Sequence, residues 1–288
     1  KNSVASRLER AGLEGASSPY GFISIVSTLA WGLGYFGMPH ILLRFMAIED
    51  HKKLKLSRRV ATVWVVISMG AAVAIGVVGL SMSKAGAVPY LEGSSASETI
   101  IIQISSLIST HGAIAALVAG LIIAGILAAT MSTSDSQLLA ASSSVSQNLI
   151  KDFAGIKVSQ RTEMILARLT VVVISVIAAF LAQDPDSSVF RIVSFAWAGF
   201  GAAFGPLILT SLYWKRTNFY GALAGLVSGG AMVFIWKFLV RPLGGAWDIY
   251  ELLPAFIVSF AVIVIVSLLT PEPSEEIQKE FDAVKVHE

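Results

Sequence analysis

The chain has 288 residues, of which 55% are hydrophobic and only 14% are charged, and its formal net charge is +2. A soluble domain normally carries nearly twice that charged fraction, so the composition excludes an ordinary soluble fold. The absence of cysteine excludes disulfides, zinc–thiolate centres and thiol catalysis. The apolar residues come in blocks long enough for a helix to cross a bilayer, and we therefore predict an all-α, polytopic membrane protein.

The first apolar block, residues 20–47, follows a polar stretch over 1–19 that we expect to be an extracytoplasmic loop. Between the second and third blocks, residues 97–109 are too short to span a membrane. Ser97 and Glu98 are predicted to cap a brief surface helix in that stretch. The predicted spans are 20–47, 59–83, 113–150, 162–182, 188–213, 218–240 and 249–270.

Basic residues collect in alternate connections between the spans, over 44–59, 151–161 and 215–216. Such loops stay on the cytoplasmic side of a membrane. The pattern predicts a transmembrane domain over 20–270 that begins outside the cell, followed by a charged cytoplasmic tail over 271–288. The chain starts without Met and without a signal-peptide pattern, so we expect it to be a fragment of a longer protein.

The centre of the first span is interrupted by Gly32, Gly34, Gly37 and Pro39. Proline lacks an N–H and its ring clashes with the preceding turn, and glycines weaken a helix further. Transporters use such interruptions to free backbone groups for a ligand in the middle of the membrane. The simpler alternative is that the glycines only permit close packing and that the proline is a kink.

Trp31, Tyr35 and Pro39 recur every four residues and therefore share one face of this span. An aromatic wall beside freed backbone N–H groups suits a small zwitterion. Its ring would pack on Trp31 and Tyr35, and its carboxylate would meet N–H groups at the start of a half-helix opened by Pro39. The alternative is that Trp31 and Tyr35 are packing residues between helices.

The third span contains a run of polar residues over 132–137. Hydroxyl and carbonyl oxygens are hard donors that suit Na⁺. The hydroxyls of Ser132 and Thr133 and the carbonyl of Ala129 could supply three ligands on one side of a sodium site, while a second helix supplies the rest. Alternatively, the run is the hydrated inner end of the span. Asp135, the acid within it, could serve a proton relay or an ordinary ion pair.

Other classes of function have weaker support in the sequence. The four histidines show no metal-ligand spacing, and no serine-hydrolase elbow, phosphate loop or nucleic-acid signature occurs. We therefore expect neither an enzyme nor a nucleic-acid partner. A seven-helix receptor fits the number of spans, but the broken first span argues against it. A membrane hydrolase is disfavoured because no nucleophile has a base at plausible spacing.

The sequence resembles the sodium:solute symporter family in five stretches that together cover nearly the whole chain. They are AWGLGYFGMPHILLRFMA (30–47), GILAATMSTSDSQLLAASSSVSQNLIKD (125–152), WAGFGAAFGPLILTSLYW (197–214), GALAGLVSGGAMVFIWK (221–237) and YELLPAF (250–256). The resemblance implies a LeuT-type fold of two five-helix inverted repeats with flanking helices. This chain would supply the second repeat and the C-terminal flanking helices.

The resemblance also implies a function, namely sodium-coupled import of a small solute across the cytoplasmic membrane, with proline as the solute. It implies sodium as the coupling ion. Another amino acid, a carboxylate or a sugar is the alternative solute. The implied solute-binding residues are Trp31, Tyr35 and Pro39, and the implied sodium-binding residues are Ala129, Ser132 and Thr133.

The chain departs from the family pattern in ways that limit the transfer of these roles. Met38 stands where some relatives have a polar Gln, which could shift the preference for the solute. Asp135 and Ser136 occupy variable positions and receive no role. The missing first repeat, together with the lipid bilayer, is an expected partner, because the broken helix of that repeat completes both sites. This chain alone is therefore not expected to transport.

Overall fold

The computed structural model describes residues 21–91, 93–153, 155–156, 159–183 and 188–285, and the predicted loop over 1–19 lies outside them. Within these residues, all the regular secondary structure is helical. Six of the described helices are long and apolar enough to cross a membrane, and a broken pair would make a seventh span. The predicted all-α membrane architecture is thereby confirmed.

The first span is broken where its glycines and proline predict a break. Helix α1, Phe22–Ala30, runs into a 3-10 helix over Trp31–Gly37. Met38 then adopts an extended backbone, with φ −83° and ψ 114°, and helix α2 begins at once over Pro39–Met46. The residue before a proline is disfavoured in the helical region, which explains why the chain extends at Met38.

The remaining helices match the predicted blocks to within a few residues at most ends. The third span is continuous through its polar run at 132–137, which lies within its α-helical part, and it passes directly into π-helix after Ser143. The helices are α3 (Leu54–Lys84), α4 (Gly93–Ser97), α5 (Ile100–Ser109), α6 (Ala113–Ser143, then π-helical over Ser144–Phe153), α7 (Gln160–Leu181), α8 (Val189–Tyr213), α9 (Phe219–Ile235, then π-helical over Trp236–Val240), α10 (Leu252–Leu269) and α11 (Glu275–Lys285).

The described chain divides into two compact units, one up to Met38 and from Ser194 onward, the other over Pro39–Val193. In the first unit the core lies among α1, α8, α9 and α10, around Ala202, Leu252 and Phe256. Helices α9 and α10 approach closely through small residues. A Cβ added at Gly225 would lie 2.1 Å from the Ile263 side chain, so only glycine fits there.

In the second unit, α3 packs on α5 at Gly79, where an added Cβ would lie 2.3 Å from the Ile100 side chain. The predicted brief helix is present as α5, but its predicted cap was wrong. Thr99 is the N-cap residue of α5, and no side-chain cap bond is made there. The Glu98 carboxylate instead accepts hydrogen bonds from residues 188–190 at the start of α8, 90 residues or more along the chain.

The tail that was predicted from its charge alone contains helix α11. Pro271 and Pro273 separate it from α10, as their missing N–H groups require. Ser274 then begins the new helix, since its carbonyl accepts from the Gln278 N–H at 3.1 Å. Glu275 and Glu276 lie in the first turn, where negative charge is favourable.

Candidate functional site

The broken segment of the first span lies directly against the backbone of α8. A Cβ at Gly34 would lie 1.9 Å from Nε1 of Trp197, and one at Gly37 would lie 2.3 Å from the Phe200 carbonyl oxygen. From the other side, a Cβ at Gly201 would lie 2.7 Å from Cα of Gly34. Gly32, by contrast, has open space around it. The close packing that the simpler alternative predicted is therefore present at Gly34 and Gly37. The use of the break to bind a ligand stays a prediction.

Four aromatic rings form a cluster at this break, hereafter the aromatic cluster: Trp31, Tyr35, Trp197 and Tyr250. Trp31 stacks on Trp197, with ring centroids 5.5 Å apart, and on Tyr250, at 5.9 Å. Tyr35 meets Trp197 edge-on at 4.8 Å. The indole N–H of Trp197 donates to the backbone carbonyl of Trp31 at 3.0 Å.

The two predicted solute-binding aromatics have different surroundings. Trp31 is partly buried and packs between other rings of the aromatic cluster. Tyr35 is 53% exposed in this chain, so it has free ring surface to offer a ligand. Trp31 is thus a packing residue that also borders the break, and Tyr35 is the more accessible of the two.

Pro39, the third predicted solute-binding residue, is the first residue of α2 and is half-buried. The first N–H groups of any helix have no partner within that helix. The N–H groups that were predicted to meet a carboxylate therefore lie at the start of α2, at the positive end of the helix dipole, and their binding of a carboxylate stays a prediction.

The three predicted sodium-binding residues lie within one turn of α6 and are exposed in this chain. The Thr133 hydroxyl donates to the Ala129 carbonyl at 3.2 Å, so these two oxygens share one side of the helix. The Ser136 hydroxyl makes the same kind of bond to the Ser132 carbonyl at 2.9 Å. The Ala129 carbonyl and the Thr133 hydroxyl thus lie on one side of α6, and the binding of sodium by Ala129, Ser132 and Thr133 stays a prediction.

Sequence reasoning missed three residues around the aromatic cluster. Trp197 and Tyr250 complete it, and Glu251 lies directly after Tyr250 with its side chain completely buried. Two cations pair with that carboxylate, Lys237 at 3.1 Å and Arg241 at 2.8 Å. A carboxylate at the start of a strongly apolar span is itself a signal of function, and this signal could have drawn attention to Glu251.

Tyr250 is fixed from several directions. Its hydroxyl donates to the Ser194 carbonyl, and its backbone N–H donates to the Ser27 hydroxyl at 3.0 Å. These two bonds tie the residue before Glu251 to α8 and to α1.

Several apolar helices of spanning length and a broken pair beside an aromatic cluster are typical of the polytopic membrane transporter class. The chain belongs to the sodium:solute symporter family, which matches residues 7–229. This confirms the predicted family, and with it the expectation of a transporter and not an enzyme.

Two curated relatives illustrate the match. The chain is 41% identical over 263 residues to the osmoregulated proline transporter OpuE of Bacillus subtilis, covering 91% of this chain and 51% of that protein. It is 39% identical over 268 residues to the sodium/proline symporter of Salmonella typhimurium, covering 92% and 51%. The chain thus spans about half the length of the curated relatives that it matches. No solved structure matches it.

Proposed function

We propose that this chain forms the second inverted repeat and the C-terminal flanking helices of a sodium-coupled symporter that imports L-proline. The observation that carries the proposal is the break at Met38 and Pro39, bordered by the aromatic cluster. Proline is a small zwitterion with an apolar ring. An exposed tyrosine ring and the N–H groups at the start of a helix match those two parts.

Trp31, Tyr35 and Pro39 are the proposed solute-binding residues. The pyrrolidine ring packs on the exposed Tyr35 ring, while Trp31 shapes the wall behind it. The carboxylate binds the N–H groups that follow Pro39. This division of roles is supported by the difference in exposure between the two aromatic side chains.

Ala129, Ser132 and Thr133 are the proposed sodium-binding residues. One carbonyl and two hydroxyls on one turn supply part of a coordination shell, and the first repeat supplies the rest. Bound sodium raises the affinity for proline. Because coupling is reciprocal, bound proline raises the affinity for sodium by the same factor.

The proposed location is the cytoplasmic membrane, with the C-terminus inside the cell. It rests on the three basic connections, which alternate along the chain. Helix α11 then lies on the cytoplasmic side. Asp282 of this helix pairs with Lys215 in the third basic connection, which is consistent with that placement.

The test uses the protein at the full length of its relatives, reconstituted in proteoliposomes. Labelled proline uptake is measured under an imposed sodium gradient, and under a potassium or a proton gradient as controls. We expect accumulation only with sodium. Accumulation driven by protons alone would reject the sodium site, and the absence of proline uptake under every gradient would reject proline as the solute.

The alternative is a sodium symporter of the same protein family that imports a different small solute, and Met38 is the position that favours this alternative. Met38 is buried at the break, 7% exposed, where relatives with a polar side chain could bind a more polar solute. Competition of labelled proline uptake by other amino acids, carboxylates and sugars separates these cases. A competitor that inhibits far better than proline itself would identify a different solute.

A further inference from the structure

The connection that precedes α10, residues 248–251, contains an ion-paired carboxylate for which the proposed function has no role. Glu251 is completely buried and accepts hydrogen bonds from Lys237 Nζ at 3.1 Å and from Arg241 Nη1 at 2.8 Å. Arg241 also donates through Nε to the Asp248 carboxylate at 2.8 Å. A buried carboxylate is stable only while its partners stay in place, so these ion pairs fix the geometry of the connection.

The residue fixed next to this carboxylate is Tyr250, which reaches two other helices of the same unit. Its backbone N–H binds the Ser27 hydroxyl of α1, and its phenol binds the Ser194 carbonyl of α8. Its ring stacks nearly parallel on Trp31, with an interplanar angle of 16°. Tyr250 is therefore the part of the 248–251 connection that contacts the broken span.

We propose that Tyr250 is a positioning residue of the solute site and that the ion pairs of Glu251 hold Tyr250 in place. Stacking on Tyr250 fixes the orientation of the Trp31 ring, and Trp31 is the first residue of the 3-10 segment. Trp31 also stacks on Trp197, which in turn contacts Tyr35. The inference rests on the proposed function, because it takes proline as the solute that the aromatic cluster helps to bind.

The first test removes the Tyr250 ring from the full-length transporter in proteoliposomes. Tyr250→Leu should raise the KM for proline about fivefold to tenfold, the loss expected when an aromatic stack disappears. The sodium concentration for half-maximal uptake and the amount of purified protein should change by less than about twofold. Tyr250→Phe keeps the stack on Trp31 and should give a smaller rise in KM. Tyr213→Leu is the matched control, because Tyr213 is 79% exposed at the end of α8.

The second test removes the negative charge of Glu251. Glu251→Gln leaves Lys237 and Arg241 with one surplus positive charge and should raise the KM for proline. Adding Lys237→Gln removes that surplus and should return the KM toward the wild-type value, which a purely steric role of Glu251 would not predict. Glu272→Gln at the opposite end of α10 is the control, since Glu272 is 69% exposed and lies 3.6 Å from Arg216.

The outcomes separate this inference from the proposed function. If the wild-type protein shows no sodium-driven proline uptake, the proposed function fails and the role of Tyr250 fails with it. If the wild type transports and Tyr250→Leu keeps the wild-type KM, only the positioning role is overturned. Loss of both Tyr250 variants from the membrane would show a folding role instead and would equally overturn it.

Discussion

The indole N–H of Trp197 donates a hydrogen bond to the backbone carbonyl of Trp31, across 166 residues of sequence, with Nε1 and the oxygen 3.0 Å apart. The bond joins α8 to the first residue of the broken segment. The backbone of Gly34, three residues further on, lies against the same indole. One side chain of α8 therefore determines how closely the broken segment can pack, and this leads to the first prediction.

Gly34→Ala should destabilise the protein and impair proline uptake. The added methyl group would lie 1.9 Å from Trp197 Nε1, so the indole or the broken segment must move. Overpacking of this kind typically costs about 1–3 kcal/mol. Thermal unfolding in detergent and the KM for proline provide the measurements.

Gly32→Ala is the matched control, because a Cβ at Gly32 meets no atom within 4 Å. Gly32 lies in the same 3-10 segment as Gly34, and the substitution makes the same chemical change. Equal effects of the two substitutions would mean that glycine flexibility, and not the contact with Trp197, is what the segment requires.

Features of the fold that depend on residues close in sequence were predicted, and contacts between residues far apart in sequence were not. The spans and the break at Pro39 arise from residues that are close in sequence, and both were predicted. The pairing of Glu98 with Ser188 and the stacking of Tyr250 on Trp31 join residues 90 or more positions apart. No local pattern specifies such pairs, which explains why the cap of α5 was misassigned and why Tyr250 was given no role at the site.

The roles of the predicted site residues are a separate matter. The break itself follows from glycine and proline chemistry, but the relative exposure of Trp31 and Tyr35 depends on rings supplied by α8 and by the 248–251 connection. A spacing of four residues places both on one face and cannot tell which is covered. Sodium binding at Ala129, Ser132 and Thr133 remains a prediction.

Tyr35→Ala should weaken apparent proline affinity more than apparent sodium affinity. The exposed ring of Tyr35 is the proposed surface for the pyrrolidine ring, whereas the proposed sodium ligands lie on α6. Losing the packing of one aromatic ring should raise the KM for proline by about tenfold. Tyr220→Ala, at another half-exposed tyrosine, is the control. Uptake measured against proline and against sodium concentration separates the two effects, and an equal rise in both constants would contradict the assignment.

Ser132→Ala and Thr133→Ala should each raise the sodium concentration for half-maximal uptake by about tenfold or more, since each removes one oxygen of a small coordination shell. Because the coupling is reciprocal, the KM for proline at low sodium should rise as well. Thr130→Ala is the control, since the Thr130 hydroxyl bonds to the Ile126 carbonyl and is no proposed ligand. An unchanged sodium dependence in both variants would exclude these hydroxyls from the site.

Glu98→Gln should lower the thermal stability at neutral pH, and the difference from wild type should shrink in acid. The Ser188 hydroxyl, followed by the backbone N–H groups of Phe190 and Val189, lowers the pKa of the Glu98 carboxyl below its ordinary value of 4.5. A depressed pKa means that folding stabilises the charged form of the Glu98 carboxyl relative to its protonated form. Its stabilising contribution is therefore complete above the ordinary pKa and is lost as the pH falls through the lower, folded-state pKa.

The measurement is the melting temperature of the purified protein across a pH series from neutral to acid, for wild type and for Glu98→Gln. Glu49→Gln is the matched control, because the exposed Glu49 carboxylate pairs with Lys53 of its own connection, at 2.8 Å. The Glu98 variant should melt lower than wild type at neutral pH, and the two curves should converge once wild-type Glu98 is protonated. A gap that stays constant into acid would show that the Glu98 charge does not hold the start of α8.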